Sequence, residues 1–187
     1  SKYKLPEKYL LHIGNTAARK NTAAVMKAYA AYTGKNEDAL PLVVSGCQRA
    51  FVKKLSESTG NPALMNKVYT PGYVDAAELP LLYSAACLFL CPSFSEGFGM
   101  PVAESMACGT PVITSNRSSL PKVAGGAALL VNPEQPHEIF LAIERLLSDT
   151  GLYESLRAKG LENAKRFSWV KAAEQTIDIY KKVLNLS

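Results

Sequence analysis

Short apolar runs recur along the chain between longer stretches whose apolar positions fall three and four residues apart. The runs are "YLLHI" at 9–13, "PLVVS" at 41–45, "KVYTP" at 67–71, "CLFLC" at 87–91, "PVITS" at 111–115 and "ALLV" at 128–131. They are continuous rather than alternating, the pattern of strands covered on both faces. Helical patterns lie between them, at about 21–33, 48–59, 75–85, 101–108 and 136–148. This alternation predicts parallel strands joined by helical crossovers: an α/β doubly wound, Rossmann-like sheet of about six strands with flanking helices.

The punctuation agrees. "DAAE" at 75–78 reads as a capping box, Pro101 suits the first turn of a helix, and Gly109 suits its C-terminal cap. After residue 150 the alternation stops and two helical stretches follow without strands between them. The second, in "FSWVKAAEQTIDIYKKVL", is capped by Ser168 and carries Val170, Ala173, Ile177, Tyr180 and Leu184 as one stripe. Such a stripe docks either on its own domain or on a neighbouring one.

The 187 residues suit a single domain, 1–187, with C-terminal helices at about 151–187. No apolar run approaches the roughly eighteen residues of a membrane span. The opening "SKYKLPEKYL" has neither an initiator Met nor an apolar leader core, so export is not expected and the chain is expected to be a fragment of a cytoplasmic protein. Cys47, Cys87, Cys91 and Cys108 lie apart in apolar stretches, the pattern of buried free thiols rather than of a metal site. A net charge of +5 is spread thinly, without the aromatic-interleaved basic stripe that nucleic acid requires. A small anionic ligand fits it better.

Ligands of parallel sheets bind beyond the carboxyl ends of the strands. Two loops there carry suitable chemistry. The loop after the first strand, "GNTAARKN" from Gly14 to Asn21, places Arg19 and Lys20 where the chain turns into a helix. It has neither the spacing of a P-loop nor the companion glycines of a dinucleotide fingerprint. The loop "PSFSEGFGMP" at 92–101 follows the fourth strand. Gly97 and Gly99 free its backbone to approach a ligand, and the helix starting near Pro101 aims unpaired N–H groups at it. A diphosphate suits that arrangement. Glu104, one turn into the helix, can accept two hydrogen bonds from a diol such as a ribose, or simply complement the helix dipole. Glu96, ahead of the glycines, can bond sugar hydroxyls or balance a developing cation, or be a solvated loop acid. His12 reads as a satisfied core histidine and His137 as a surface helix residue.

The stretch "VYTPGYVDAAELPLLYSAACLFLCPSFSEGFGMPVAESMACGTPVITSN", followed by "LPKVAGGAALLVNP" and "FSWVKAAEQTIDIYKKVL", resembles the C-terminal, donor-binding domain of GT-B retaining glycosyltransferases of family 4 (glycosyl transferases group 1), over nearly the whole chain. The resemblance implies that Glu96 contacts the donor sugar, that the amides of Gly97, Phe98, Gly99 and Met100 hold sugar and diphosphate, and that Glu104 binds the ribose. Ser93 would line the pocket, and the Val74 backbone would read the nucleobase. In the first loop, which begins at Gly14, the family carries an Arg and a Lys. Lys20 matches the Lys, but Asn15 stands at the Arg position, so either Arg19 substitutes or Lys20 and the helix N-terminus suffice. Lys122, Gly126 and Asn132 also depart from the family pattern, outside the pocket motifs.

By the same resemblance, Glu96 and Lys20 are the expected catalytic residues. The substrate is a nucleotide diphosphate sugar such as a UDP or GDP sugar, and neither a metal nor a resident cofactor is expected. The reaction would transfer the sugar to an acceptor hydroxyl with retention, and because no second carboxylate stands at the spacing of a covalent nucleophile, front-face displacement is the better fit. The partner is an N-terminal acceptor-binding domain, toward which the last helix would cross. Peripheral membrane contact would run through that half, at the inner face of the membrane. Alternatives on the same fold are a non-catalytic nucleotide-sugar binding module, an epimerase or a phosphorylase. A nicotinamide dehydrogenase is disfavoured, because Val102 stands where a third glycine is needed.

Overall fold

A computed structural model describes residues 3–61 and 63–184. The strands are β1 (Tyr9–Ile13), β2 (Leu42–Ser45), β3 (Val68–Gly72), β4 (Ala86–Cys91), β5 (Val112–Ser115) and β6 (Ala128–Val131). The helices are α1 (Thr22–Lys35), α2 (Arg49–Glu57), α3 (Leu79–Ser84), α4 (Met100–Ala107), α5 (Leu120–Ala124), α6 (Pro136–Ser148), α7 (Thr150–Ala164) and α8 (Trp169–Leu184). All strand pairs are parallel and the order is β3-β2-β1-β4-β5-β6. The expected doubly wound sheet is therefore present, and its order reverses between β1 and β4.

The alternation of side chains along each strand divides the core in two. Leu10, Leu42, Val44, Leu88, Leu90 and Ile113 pack with Val25 and Tyr29 of α1 and Ile139 and Ile143 of α6. Tyr9, Leu11, Val43, Phe89 and Val112 pack on the other face with Leu82 of α3, Val102 and Met106 of α4, and Leu120 and Val123 of α5. The strands β1, β2, β4 and β5 are buried nearly throughout, whereas the edge strands β3 and β6 are partly open.

Some local expectations are corrected. The helix expected over 75–85 begins only at Leu79, and its last residue is Ser84. Pro80 explains the late start: it fits the first turn of α3 but lacks the amide that the interior of a helix begun at 75 would need. Residues 76–78 form a turn instead of a capping-box helix start, with the Asp75 carbonyl accepting from the amides of Glu78 and Leu79. The short α5 and two 3-10 turns, at Ala18–Lys20 and Leu64–Lys67, are too brief to leave a periodic signal. Gly109 does take the left-handed conformation just beyond α4, with a φ of 73°. Ser168 caps α8, its Oγ accepting from the Lys171 amide at 3.4 Å.

The stripe on α8 does not pack on its own domain. Val170, Ile177, Tyr180 and Leu184 are all more than half exposed, and Trp169 beside them is 78% exposed. No helix among the described residues is long and apolar enough to cross a membrane.

A candidate ligand site at the sheet's switch point

The reversal of strand order between β1 and β4 opens a crevice at their carboxyl ends, and the loops that follow them meet there. The Phe94 amide donates to the Arg19 carbonyl at 2.8 Å, which joins the two loops directly. Asn21 locks them. It sits between the 3-10 turn and α1 in the left-handed conformation (φ 57°, ψ 34°) and is buried. Its Nδ2 donates to the carbonyls of Pro92, at 3.0 Å, and Pro133, at 2.7 Å, so one amide ties the loops after β1, β4 and β6.

Beneath the loops lies His12, buried as expected. Its Nδ1 donates to the Leu90 carbonyl of β4 at 2.9 Å, and its Nε2 lies 3.0 Å from Thr22 Oγ1 at the start of α1. A neutral ring satisfies both contacts. Burial, aided by the charge of Lys20 and opposed by the Leu90 bond, lowers its pKa from 6.5 to about 4. Gly14 is required here for packing: a Cβ on it would lie 2.7 Å from Thr22 Oγ1 and 2.8 Å from His12 Nε2.

The two loops bring together Lys20, Arg19, Ser93 and Glu96. Lys20 Nζ lies 2.7 Å from Glu96 Oε1, and an Arg19 guanidinium nitrogen 2.9 Å from Oε2. Ser93 Oγ donates to Oε1 at 2.8 Å. The Glu96 side chain is only 8% exposed, so it is no solvated loop acid but the centre of a charge cluster. Burial pushes its carboxyl up, yet the hydrogen bonds from Lys20, Ser93 and Arg19 and the Lys20 charge outweigh that and hold it below the usual carboxylate range. Two cations against one carboxylate leave the cluster net positive. Asn15 supplies no cation; its Oδ1 accepts from the Ala17 amide at 2.9 Å in a local turn, whereas Arg19 reaches the cluster.

Next to it, the segment from Gly97 to Met100 leads into α4. A Cβ on Gly97 would meet nothing within 4 Å, so this face of the loop is open. Gly99 has structural reasons as well, with a φ of 105° and a Cβ position 2.9 Å from Leu120. Among the described residues no hydrogen bond engages the amides of Gly97, Phe98, Gly99 or Met100. Ser118 and Ser119, which motif reading had passed over, brace the loop: Ser118 donates to the Glu96 carbonyl at 2.8 Å, and Ser119 contacts the carbonyls of Glu96 and Phe98 at 2.9 and 2.7 Å.

Glu104 stands apart from the cluster. It lines a groove of about 660 Å³ between α4 and the start of α8, together with Phe98, Met100 and Phe167. Its Oε2 accepts from the Tyr83 hydroxyl at 2.9 Å. Val74 is buried in the core on the side of Tyr83 and Phe89, so its side chain is not available to a ligand. Cys47 and Cys91 are buried, Cys87 and Cys108 half-buried, and all four are free thiols. His137 is an exposed residue of α6, as expected.

Residues 1–167 match the family described as Glycosyl transferases group 1. The chain is 38% identical over 181 residues to O-antigen chain mannosyltransferase B of Escherichia coli, an alignment covering 96% of this chain and 48% of that protein. A serotype-specific mannosyltransferase, WbdA, of the same organism is 32% identical over 192 residues, covering 100% of this chain and 23% of that protein. The chain thus spans about half, or less, of the length of these curated relatives. Among solved structures, sucrose-phosphate synthase from Thermosynechococcus elongatus superposes with a TM-score of 0.83 at 28% identity, over 98% of this chain and 47% of that one. The C-terminal domain of a glycosyl transferase group 1 family protein from Francisella tularensis gives a TM-score of 0.75 at 26% identity, over 88% of this chain and 90% of that one.

Proposed function

The chain belongs to the glycosyl transferases group 1 family, and from that premise we propose that it is the donor-binding half of a retaining, family 4 enzyme of the GT-B type. The intact enzyme moves a sugar from a nucleoside diphosphate to an acceptor hydroxyl. The observation that carries this reading is the switch-point cluster: Lys20 and Arg19 beside Glu96, next to unengaged amides at the start of α4. A net positive cluster and a helix N-terminus on one open loop favour a diphosphate.

In this reading Lys20, Arg19 and the amides of Gly97 to Met100 meet the charge that develops on the departing diphosphate, without a bound metal. A diphosphate entering the crevice competes with Glu96 for the two cations and so turns the Glu96 carboxylate toward the sugar. There it balances positive charge growing at the anomeric carbon during front-face displacement. Ser93 holds Glu96, Glu104 takes the ribose, and the Val74 backbone borders the base. Gly14 and Asn15 act on the ligand only through the loop they shape.

An N-terminal domain holding the acceptor completes the enzyme, and the bare stripe of α8 faces it. Cytoplasmic work fits the four free thiols. Contact with the inner face of the membrane falls to the other half. The names of the two Escherichia coli relatives make a mannosyl donor the first to try.

Titration calorimetry of the 187-residue chain with UDP, GDP, ADP and their sugar derivatives tests the reading. Weak binding of one nucleoside diphosphate, unchanged by a chelator and lost on Lys20→Met, is expected. Binding of none of them would overturn it.

A further inference from the structure

A tyrosine in a packed core raises a question, because a phenylalanine fills the same space without a hydroxyl to satisfy. Tyr83 is 1% exposed, and its ring stands edge-on to Phe89 with centroids 5.3 Å apart. Its carbonyl accepts from Thr110 Oγ1 at 2.7 Å, which fixes the backbone at the end of α3. The ring therefore has one orientation. In it the hydroxyl reaches Glu104 Oε2, across the boundary between the core and the groove that Glu104 lines. Burial, and then the charge and hydrogen bond of Glu104, push the phenol pKa well above its ordinary value, so the group remains a donor at any working pH.

A glutamate on a helix surface has several rotamers, and a diol must select one of them. Here a buried phenol occupies one lone pair of Oε2 and leaves Oε1, with the remaining lone pairs, to the groove. Resting on the donor-site reading above, we propose that Tyr83 is a positioning residue: its buried hydroxyl holds the Glu104 carboxylate in the rotamer that accepts both hydroxyls of the nucleoside ribose. The inference concerns recognition of the ribose alone, and the diphosphate cluster around Glu96 has no part in it.

Calorimetry separates the two. The probes are whichever of UDP, GDP or ADP the chain binds, and the 2′,3′-dideoxy form of the same nucleotide. The unaltered chain prefers the ribose form by about tenfold or more, and Tyr83→Phe loses about tenfold toward that form, the effect of one charge-assisted hydrogen bond. Binding of the dideoxy form changes less than about twofold, which a merely structural role of Tyr83 would not predict. In a Glu104→Gln background Tyr83→Phe has no further effect. Should Tyr83→Phe fail to fold, Glu104→Asp, which keeps the charge and withdraws it from the phenol, is expected to show the same selective loss.

Equal losses toward both nucleotides, or none toward either, would overturn the inference. Absence of ribose preference in the unaltered chain would overturn it too, while leaving the donor site standing. Absence of all nucleotide binding would overturn both.

Discussion

The carboxyl end of the sheet and the last helix of the chain are built on opposite terms. At the switch point, side chains from three loops and a carbonyl of a fourth interlock: Asn21 on the carbonyls of Pro92 and Pro133, Ser118 and Ser119 on the loop of Glu96, and Lys20, Arg19 and Ser93 on the Glu96 carboxylate. On α8 an apolar stripe meets no core of its own domain. The first region fixes its side chains before any ligand arrives, at the cost of burying charge and polar groups. The second leaves its interactions to be made elsewhere. Substitutions should therefore be felt strongly in one region and hardly at all in the other.

The largest effect is expected at the centre of the cluster. Glu96→Gln removes the carboxylate that Lys20 and Arg19 share, and with it the group proposed to face the sugar. In the intact enzyme kcat should fall by at least about a hundredfold, the scale of losing one electrostatic contact to a transition state. Glu104→Gln should mainly raise KM for the donor. Steady-state kinetics of the two variants sharpens the contrast, and equal effects on both parameters would break the separation of roles.

A pH series tests how tightly the region beneath the loops is closed. His12 is held neutral in the folded state, with its pKa lowered from 6.5 to about 4. Between those values the unfolded chain binds a proton that the folded chain does not, so stability falls as pH drops from 6.5 and levels off below about 4. At 1.36 kcal/mol per pH unit the loss amounts to about 3 kcal/mol. Glu96 acts in the same direction at lower pH: its depressed pKa stabilises the fold above the usual carboxylate range, and that contribution is lost as pH falls through the folded value. Urea unfolding at pH 7, 5.5 and 4.5 measures the His12 dependence, and points below pH 4 that of Glu96. A His12→Gln variant should lose the dependence between 6.5 and 4.5, and an unaltered chain equally stable at pH 7 and pH 5 would show that His12 is not sealed.

Much of this region could be read in advance, because its elements leave long signals. The runs "YLLHI" and "ALLV" coincide with β1 and β6 to the residue, and the parallel order followed from their alternation with helical patterns. The loop residues Lys20, Ser93 and Glu96, each singled out from the sequence, meet at the Glu96 carboxylate. What escaped was contact across sequence. Asn21 read as the end of a loop, since nothing local announces partners at Pro92 and Pro133, and nothing in "LPLLYSAACLF" sets Tyr83 apart from the apolar positions around it. The alternative of a solvated Glu96 stayed open for the same reason, as the cations that bury it come from 76 and 77 residues away. Pro80 was the one local signal overlooked, and it moved the start of α3.

The smallest effect is expected on α8, and it is the sharpest test of the comparison. Ile177 is 53% exposed and Val183 73% exposed, so replacing either with serine removes little buried apolar surface. Ile177→Ser and Val183→Ser should each change the unfolding free energy of the 187-residue chain by less than about 0.5 kcal/mol, as surface substitutions do. The Ile177 change in the intact enzyme should cost more if the stripe packs on an N-terminal domain, where burial of an isoleucine is worth about 1.5–3 kcal/mol. Urea midpoints of the two proteins decide the matter. A loss above about 1 kcal/mol in the chain alone would mean that α8 folds back onto the domain in solution, and the contrast between an interlocked site and a bare helix would fail.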